Sequence, residues 1–248
     1  MIITLTTDFG DSGGFVALLK ARILSLFGDS CKIIDVTHSI KPFRAIEAAY
    51  LVRTVLPAFG RDSIHIVVVD PGVGTHRAIV ACRYADVYII GPEGEIFSLI
   101  EPAECVKVNP EKLEYAEDTH TFDAYGIMVP AAYALYKKGL ANAGDAYRPA
   151  VTKLFPVKRA GLLKGRIVYI DRFGNAISNI ELRMLEGFKR IEIGSLAFES
   201  LSKSYGFADD RPVALINSAG FLEFALFKDS FSQRFGVDYL DEVRVFFQ

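Results

Sequence analysis

The most chemically suggestive stretch of the chain is Val67-Val68-Val69-Asp70-Pro71-Gly72-Val73-Gly74-Thr75-His76-Arg77, a strand-like run that ends in an acid, a glycine-rich turn and a guanidinium. Glycines let backbone approach a ligand closely, and Asp70 and Arg77 can pair across the turn beside it. GVGTHR lacks the GK[ST] of a Walker phosphate loop, and a turn closed by an Asp–Arg pair accounts for the same residues equally well. Asp8, in Thr6-Thr7-Asp8-Phe9-Gly10, is a second acid at a strand end, where an open α/β sheet can bind ribose hydroxyls. Taken alone, it reads more readily as an N-cap for a helix beginning near Asp11 or Ser12. Further along, Tyr169-Ile170-Asp171-Arg172-Phe173-Gly174-Asn175 gathers an acid, a ring to stack on and an amide that can read a base edge. A tight turn explains Gly174 and Asn175 as well, and Ile216-Asn217-Ser218-Ala219-Gly220-Phe221 is equally ambiguous.

Other chemistries find little support. His38, His65, His76 and His120 show no HxxxH or HExxH spacing, so no metal site is expected. Cys31, Cys82 and Cys105 are scattered, without a CxxC pair, and are expected to be reduced core residues. Asp123, after Thr121-Phe122, reads by default as a surface N-cap.

Lys and Arg number 28 against 30 acids, for a formal charge of -2, so no broad field draws in nucleic acid or an anionic membrane. No apolar run approaches the roughly 18 residues of a membrane helix, and MIITLTTDFGDSGG has no basic start followed by a long apolar stretch. A cytoplasmic location is expected. With 51% hydrophobic residues over 248 positions, the chain can bury a substantial core in one large domain or two unequal ones.

The elements that must position these residues follow from periodicity. Ile2 to Thr7 reads as a buried first strand, and Phe15 to Phe27 as a helix with Gly28 at its C-cap. Lys32 to Val36 is a strand, Ala45 to Val55 a helix, and Ile64 to Val69 a strand covered on both faces. Ile79 to Cys82 and Val87 to Ile90 are strands, and Val129 to Tyr136 is helical. This alternation predicts an α/β N-terminal domain, residues 1–155, with a mostly parallel sheet. Beyond Pro149 and Pro156 helical periodicity largely disappears. Short strands over Arg166 to Ile170, Ala176 to Ile180, Arg190 to Ile193, Val213 to Ile216, Phe221 to Leu226 and Glu242 to Phe247 predict a smaller all-β, barrel-like domain over residues 160–248.

In register along nearly the whole chain, TTDFG (6–10), DVTHSIKPF (35–43), VVDPGVGTHR (68–77), YIDRFGN (169–175) and INSAGFLE (216–223) resemble the S-adenosylmethionine hydroxide adenosyltransferase family, the adenosine-forming S-adenosylmethionine hydrolases, relatives of the fluorinating and chlorinating enzymes. The resemblance implies an α/β domain, a barrel-like second domain and a homotrimer with sites at subunit interfaces. It also implies hydrolysis of S-adenosyl-L-methionine to adenosine and L-methionine by water or hydroxide at the ribose 5′ carbon, with no cofactor. Carried over, Asp8 would hold the ribose hydroxyls, Asp171 the methionine ammonium and Ser218 its carboxylate. Phe173 and Phe207 would stack on adenine and Asn175 would read its edge, with Phe43, Phe122 and Asn217 completing the substrate-binding set. Asp70 and Arg77 match two members of a water-handling Asp–Arg–His set. The third departs: where the family usually reads TFHGRD, this chain has Thr121-Phe122-Asp123-Ala124-Tyr125-Gly126. Asp123 as the base is the favoured reading; the others are His120 swinging in, or activity weakened or lost. GPDNG is here Gly91-Pro92-Glu93-Gly94-Glu95, and Phe227 replaces an asparagine. The runner-up reading is a non-catalytic binder of S-adenosylmethionine or adenosine. Halide transfer, prompted by Ala124 at a halide-contacting position of the halogenating relatives, comes third.

Overall fold

β-Branched and aliphatic runs at the start of the chain form the strands that carry the acids, with helices returning between them. The structure is a computed structural model that describes residues 1–61, 63–207 and 211–247, the side chains of Pro57 and Phe207 excepted. It comprises two units, Met1–Lys153 and Leu154–Gln248.

In the first unit, β1 (Ile2–Thr7) leads through α1 (Phe15–Phe27) to β2 (Lys32–Thr37), and α2 (Ala45–Val55) returns the chain to β3 (Ile64–Val68). Then come β4 (Ile79–Tyr84), β5 (Val87–Pro92), β6 (Glu104–Val108), a wide π-helical turn (Ala124–Met128), α3 (Val129–Lys138) and β7 (Gly144–Ala146). The order across the sheet is β2-β1-β3-β5-β4-β6-β7. β2, β1, β3 and β5 run parallel, and β4, β6 and β7 extend the sheet antiparallel. Alternate residues of β3 explain its unbroken apolar run. Ile64, Ile66 and Val68 join Ile3, Leu5, Leu19 and Ile23 on one face, while Val67 and Val69 join Ala48 and Val52 on the other. A sheet covered on both faces needs apolar side chains at every position.

The strand order carries functional weight. From β1 the chain goes outward to β2, then crosses back to β3 on the other side of β1, so the crevice at the carboxyl ends of β1 and β3 is a switch point where open α/β sheets bind ligands. Asp8 and Asp70 follow those two strands.

Two cysteines require a correction. Cys82 on β4 lies directly opposite Cys105 on β6, with Cα atoms 4.0 Å apart, and the two form a disulfide; Cys31 alone is free. The partners are 23 residues apart with no short motif, so only the antiparallel register brings them face to face.

The second unit contains β8 (Val157–Arg159), β9 (Leu162–Ile170), β10 (Ala176–Glu181), β11 (Arg190–Ile193), β12 (Leu196–Phe198), β13 (Val213–Ile216), β14 (Phe221–Ala225), a short helix α4 (Phe231–Phe235) and β15 (Glu242–Phe246). The order is β12-β11-β15-β9-β10-β14-β13, with β8 also paired to β9. Every pairing among these strands is antiparallel, giving the expected all-β, nearly closed, barrel-like unit. Leu163, Ile167, Leu222, Phe224, Phe231 and Val243 fill its interior.

His65 of β3 is 2% exposed, with Nδ1 2.6 Å from Thr4 Oγ1 and Nε2 3.1 Å from Ser63 Oγ. Burial depresses its pKa to about 4. The native ring therefore stays neutral where the unfolded ring, at about 6.5, takes up a proton. This stabilisation is complete above pH 6.5 and is lost as pH falls toward 4, amounting to about 3 kcal/mol. Urea unfolding between pH 7.5 and 4 is expected to show this loss, with His65→Asn removing roughly one proton from the slope. An identical slope in the variant would rule out this role for His65.

Candidate active site

At the end of β1 the backbone turns sharply. Asp8 N–H donates to Val68 O (3.3 Å), and Asp8 Oδ2 accepts the Phe43 N–H at 3.3 Å. The N-cap alternative for this acid is not realised: α1 begins after Gly14, which is left-handed at φ 74° and caps without a side-chain bond. Burial pushes the Asp8 carboxyl above its ordinary value. The Phe43 and Asp8 N–H groups hold it back in part, and the charge of Asp70 adds to the rise. Phe43 itself is strained, at φ 68°, and 70% exposed. A bulky residue in the left-handed region persists only where its surroundings impose it, and such residues gather at ligand clamps.

Two residues past β3, Asp70 is gripped from within its own turn. Its Oδ1 accepts the Gly72 N–H (3.1 Å), and Arg77 Nε donates to Oδ1 (3.0 Å) and Oδ2 (2.9 Å). Gly72 packs closely here, since a Cβ there would sit 3.0 Å from Arg77 Cγ. Arg77 Nη2 donates to Asp70 Oδ2 and to Asp123 Oδ2, so one guanidinium joins both carboxylates. All three side chains are largely covered, at 15% exposure for Arg77, 8% for Asp70 and 16% for Asp123. Burial works against the Arg77 charge, but the two carboxylates outweigh it and raise its pKa.

Asp123 stands at the entry to the π-helical turn yet makes no side-chain cap bond, contrary to its default reading; its carboxylate turns to Arg77 instead. His120 does not take part in this bridge. Its φ is 55°, its Nδ1 lies 3.0 Å from Asp118, and its side chain is 82% exposed. Asp8, Asp70 and Asp123 line one small cavity of about 80 Å³, walled by Phe9, Val73 and Phe122. It has room for ordered water and the reacting end of a ligand. Phe122 packs edge-on against Phe9 (5.7 Å) and Phe15 (5.5 Å), which closes its apolar side.

The second unit brings together a different group. Asp171, after β9, accepts the N–H groups of Phe173 and Asn175 on Oδ1 and the Asn175 amide on Oδ2, all at 2.9 Å. Gly174 is left-handed at φ 82°, and a Cβ there would lie 2.0 Å from Ser230 Oγ. Phe173 is 76% exposed and Asn175 is buried. Asp171, Phe173 and Asn175 line an open cavity of about 610 Å³ together with Tyr205, Phe227 and Lys228. Asn217 organises the β13–β14 turn by accepting the N–H groups of Ala219 and Phe221, both at 3.0 Å, and Ser218 is exposed on that turn. Neither lines this cavity. Phe207 ends the turn Tyr205–Phe207, and its side chain lies outside the described residues.

Sequence reading missed Tyr205 and Glu223. The Tyr205 hydroxyl donates to Glu223 Oε1 at 2.8 Å. Burial pushes the Glu223 carboxyl up, Tyr205 and Asn217 pull it down, and the Asp171 charge raises it again. The available signal was a lone glutamate inside the apolar run Phe221–Ala225. Among the described residues, no three His, Cys, Asp or Glu side chains are grouped as a metal cage requires.

A switch-point acid, a guanidinium-bridged pair of carboxylates and an acid–aromatic–amide hairpin are thus carried by a protein with one α/β unit and one all-β unit. The chain belongs to the SAM hydroxide adenosyltransferase family: residues 3–144 match its N-terminal domain and residues 165–244 its C-terminal domain. It is 32% identical to the (R)-S-adenosyl-L-methionine hydrolase of Methanocaldococcus jannaschii, over 99% of this chain and 96% of that one. The enzyme of the same name from Thermus thermophilus is 29% identical, over 93% of this chain and 94% of the other. A fluorinase of Actinoplanes is 27% identical, over 90% of both. A crystal structure of an uncharacterized conserved protein from Thermotoga maritima superposes with a TM-score of 0.86 at 28% identity, covering 99% of each chain.

Arg77→Met leaves Asp70 and Asp123 facing each other without their shared cation. Breaking a largely buried ion pair from one side costs about 3 kcal/mol. Chemical denaturation at pH 7 is expected to show that loss in the otherwise unchanged chain and a smaller one where Asp123 is already replaced by asparagine. An equal loss in both backgrounds would mean that Arg77 contributes packing alone.

Proposed function

We propose that the chain hydrolyses S-adenosyl-L-methionine to adenosine and L-methionine, and that it takes the (R)-sulfonium epimer named for its relatives. The observation that carries this reading is the Asp70–Arg77–Asp123 bridge beside Asp8, at the carboxyl ends of β1 and β3. A sulfonium is already an activated leaving group. As a water oxygen bonds to the ribose 5′ carbon, the carbon–sulfur bond breaks and its electron pair leaves with the neutral thioether of methionine. The protein's task is to position water in line, exclude bulk solvent and accept one proton.

In this reading Asp70 and Arg77 orient the water and Asp123, in place of the family histidine, accepts its proton. Asp8 accepts hydrogen bonds from the ribose hydroxyls, and Phe43 and Phe122 flank the sugar. Asp171 takes the methionine ammonium, and Ser218, with Asn217 shaping its turn, takes the carboxylate. Phe173 and Phe207 stack on adenine, whose edge Asn175 reads. No cofactor is required, because the substrate supplies the leaving group.

We extend the proposal to a homotrimer with sites at subunit interfaces, for which light scattering should give three times the 27.4 kDa chain mass, and to a cytoplasmic location. Among the described residues no helix is long and apolar enough to cross a membrane. Disulfides are uncommon in reducing compartments, so location and pairing are tested together: fractionation with thiol trapping should recover cytoplasmic protein with Cys82 and Cys105 joined.

Incubation with each resolved sulfonium epimer, followed by chromatography, is expected to yield adenosine above the uncatalysed rate, faster from the (R) form. Ligand binding without adenosine would instead identify a non-catalytic binder. Asp70→Asn should cut kcat by about a hundredfold with affinity nearly unchanged, and Asp8→Ala should weaken binding by about tenfold or more. The reverse pattern would exchange the two roles. Full activity in Asp123→Ala would remove that carboxylate as the proton acceptor.

A further inference from the structure

Asp123 stands at the entry to the π-helical turn, and the loop leading into that turn is contacted from α1 by Arg22. Arg22 lies between the core positions Leu19 and Ile23, with its side chain 11% exposed. Its Nη2 donates to Tyr115 O at 2.6 Å and lies 2.7 Å from Glu117 Oε1. The guanidinium carbon lies 4.9 Å from the centre of the Tyr125 ring. One cation therefore grips both ends of the loop that runs from Tyr115 to Tyr125.

The loop closes on itself at that point. Glu117 N–H donates to Gly126 O (3.0 Å), and a Cβ at Gly126 would sit 2.2 Å from Glu117 O, so only glycine permits the closure. Tyr125 and Gly126 both donate to Phe122 O, at 3.0 and 3.1 Å. The Tyr125 ring stacks on Phe122 at 5.9 Å and an interplanar angle of 27°. Asp123 is the next residue, and its carboxylate meets Arg77. From Arg22 to Asp123 every link joins packed or bonded groups.

We infer that Arg22 is a positioning residue for the hydrolytic site: by clamping Tyr115, Glu117 and Tyr125 it fixes the π-helical turn and aims the Asp123 carboxylate at Arg77. The arginine fork suits this task, since a planar guanidinium can bond a carbonyl and a carboxylate while lying over a ring. A misplacement of about 1 Å at a reacting group costs on the order of a hundredfold in rate. The consequence for turnover rests on the proposed hydrolase reading; the clamping itself does not.

Two readouts separate them. By hydrogen–deuterium exchange, Arg22→Met should speed exchange at the Glu117, Tyr125 and Gly126 amides by about tenfold, with β1 and β3 unchanged. In turnover, Arg22→Met should lower kcat by about ten- to a hundredfold with KM within about threefold, Arg22→Lys should restore part of it, and Arg22→Met in an Asp123→Ala background should cause no further fall. Unchanged exchange overturns the inference, and so does a loss of equal factor in both backgrounds. If the wild type forms no adenosine, the hydrolase reading fails and exchange alone decides the clamp. Should Arg22→Met not fold, Tyr125→Leu, which removes the ring and with it the contacts to Arg22 and Phe122, carries the same readouts.

Discussion

One buried guanidinium holding two carboxylates is the constraint around which the first unit is arranged. Arg77 meets Asp70 from its own turn and Asp123 from a loop 46 residues away. Unneutralised, two acids sharing a small cavity with Asp8 would repel each other and pay the full cost of desolvation. With the cation between them they are held close and oriented. The glycines of the 70–77 turn, the uncapped entry to the π-helical turn and the Arg22 clamp all serve this convergence.

The sheet makes the convergence possible. Strand ends in a parallel sheet bring residues distant in sequence to one edge, and the crossover between β1 and β3 leaves an open crevice there. Asp8 and Asp70 arrive from opposite sides of that crevice. Phe43 donates its N–H to Asp8 from an unfavourable left-handed backbone conformation in the β2–α2 connection. The second unit solves a different problem with a tight hairpin: Asp171 uses both oxygens to shape the turn, which leaves the Phe173 ring standing in solvent beside a large open cavity.

Asp123 adds a second carboxylate to the bridge, bonded to the same guanidinium nitrogen as Asp70. The cavity is thus lined by three acids, two of which share one cation.

Much of this was legible from residues alone. Helix 15–27 and strand 190–193 follow from periodicity because their buried side chains gather on one side, helix 45–55 follows from its largely apolar run, and strand 213–216 from its unbroken one. Asp8, Asp70 and Asp171 stood out as acids at the ends of apolar strands. What tertiary structure decided was pairing between distant segments. The Cys82–Cys105 bond depends on the β4–β6 register, and short polar strands such as β7 and β8 exist only because a neighbour offers them hydrogen bonds. The choice of Asp123 over His120, and the grip of Arg22 on Tyr125, were set by where a loop closes. Local sequence reports what each segment prefers; long-range packing selects which of those preferences meet, because a contact across 46 or 103 residues leaves no periodic trace in either partner.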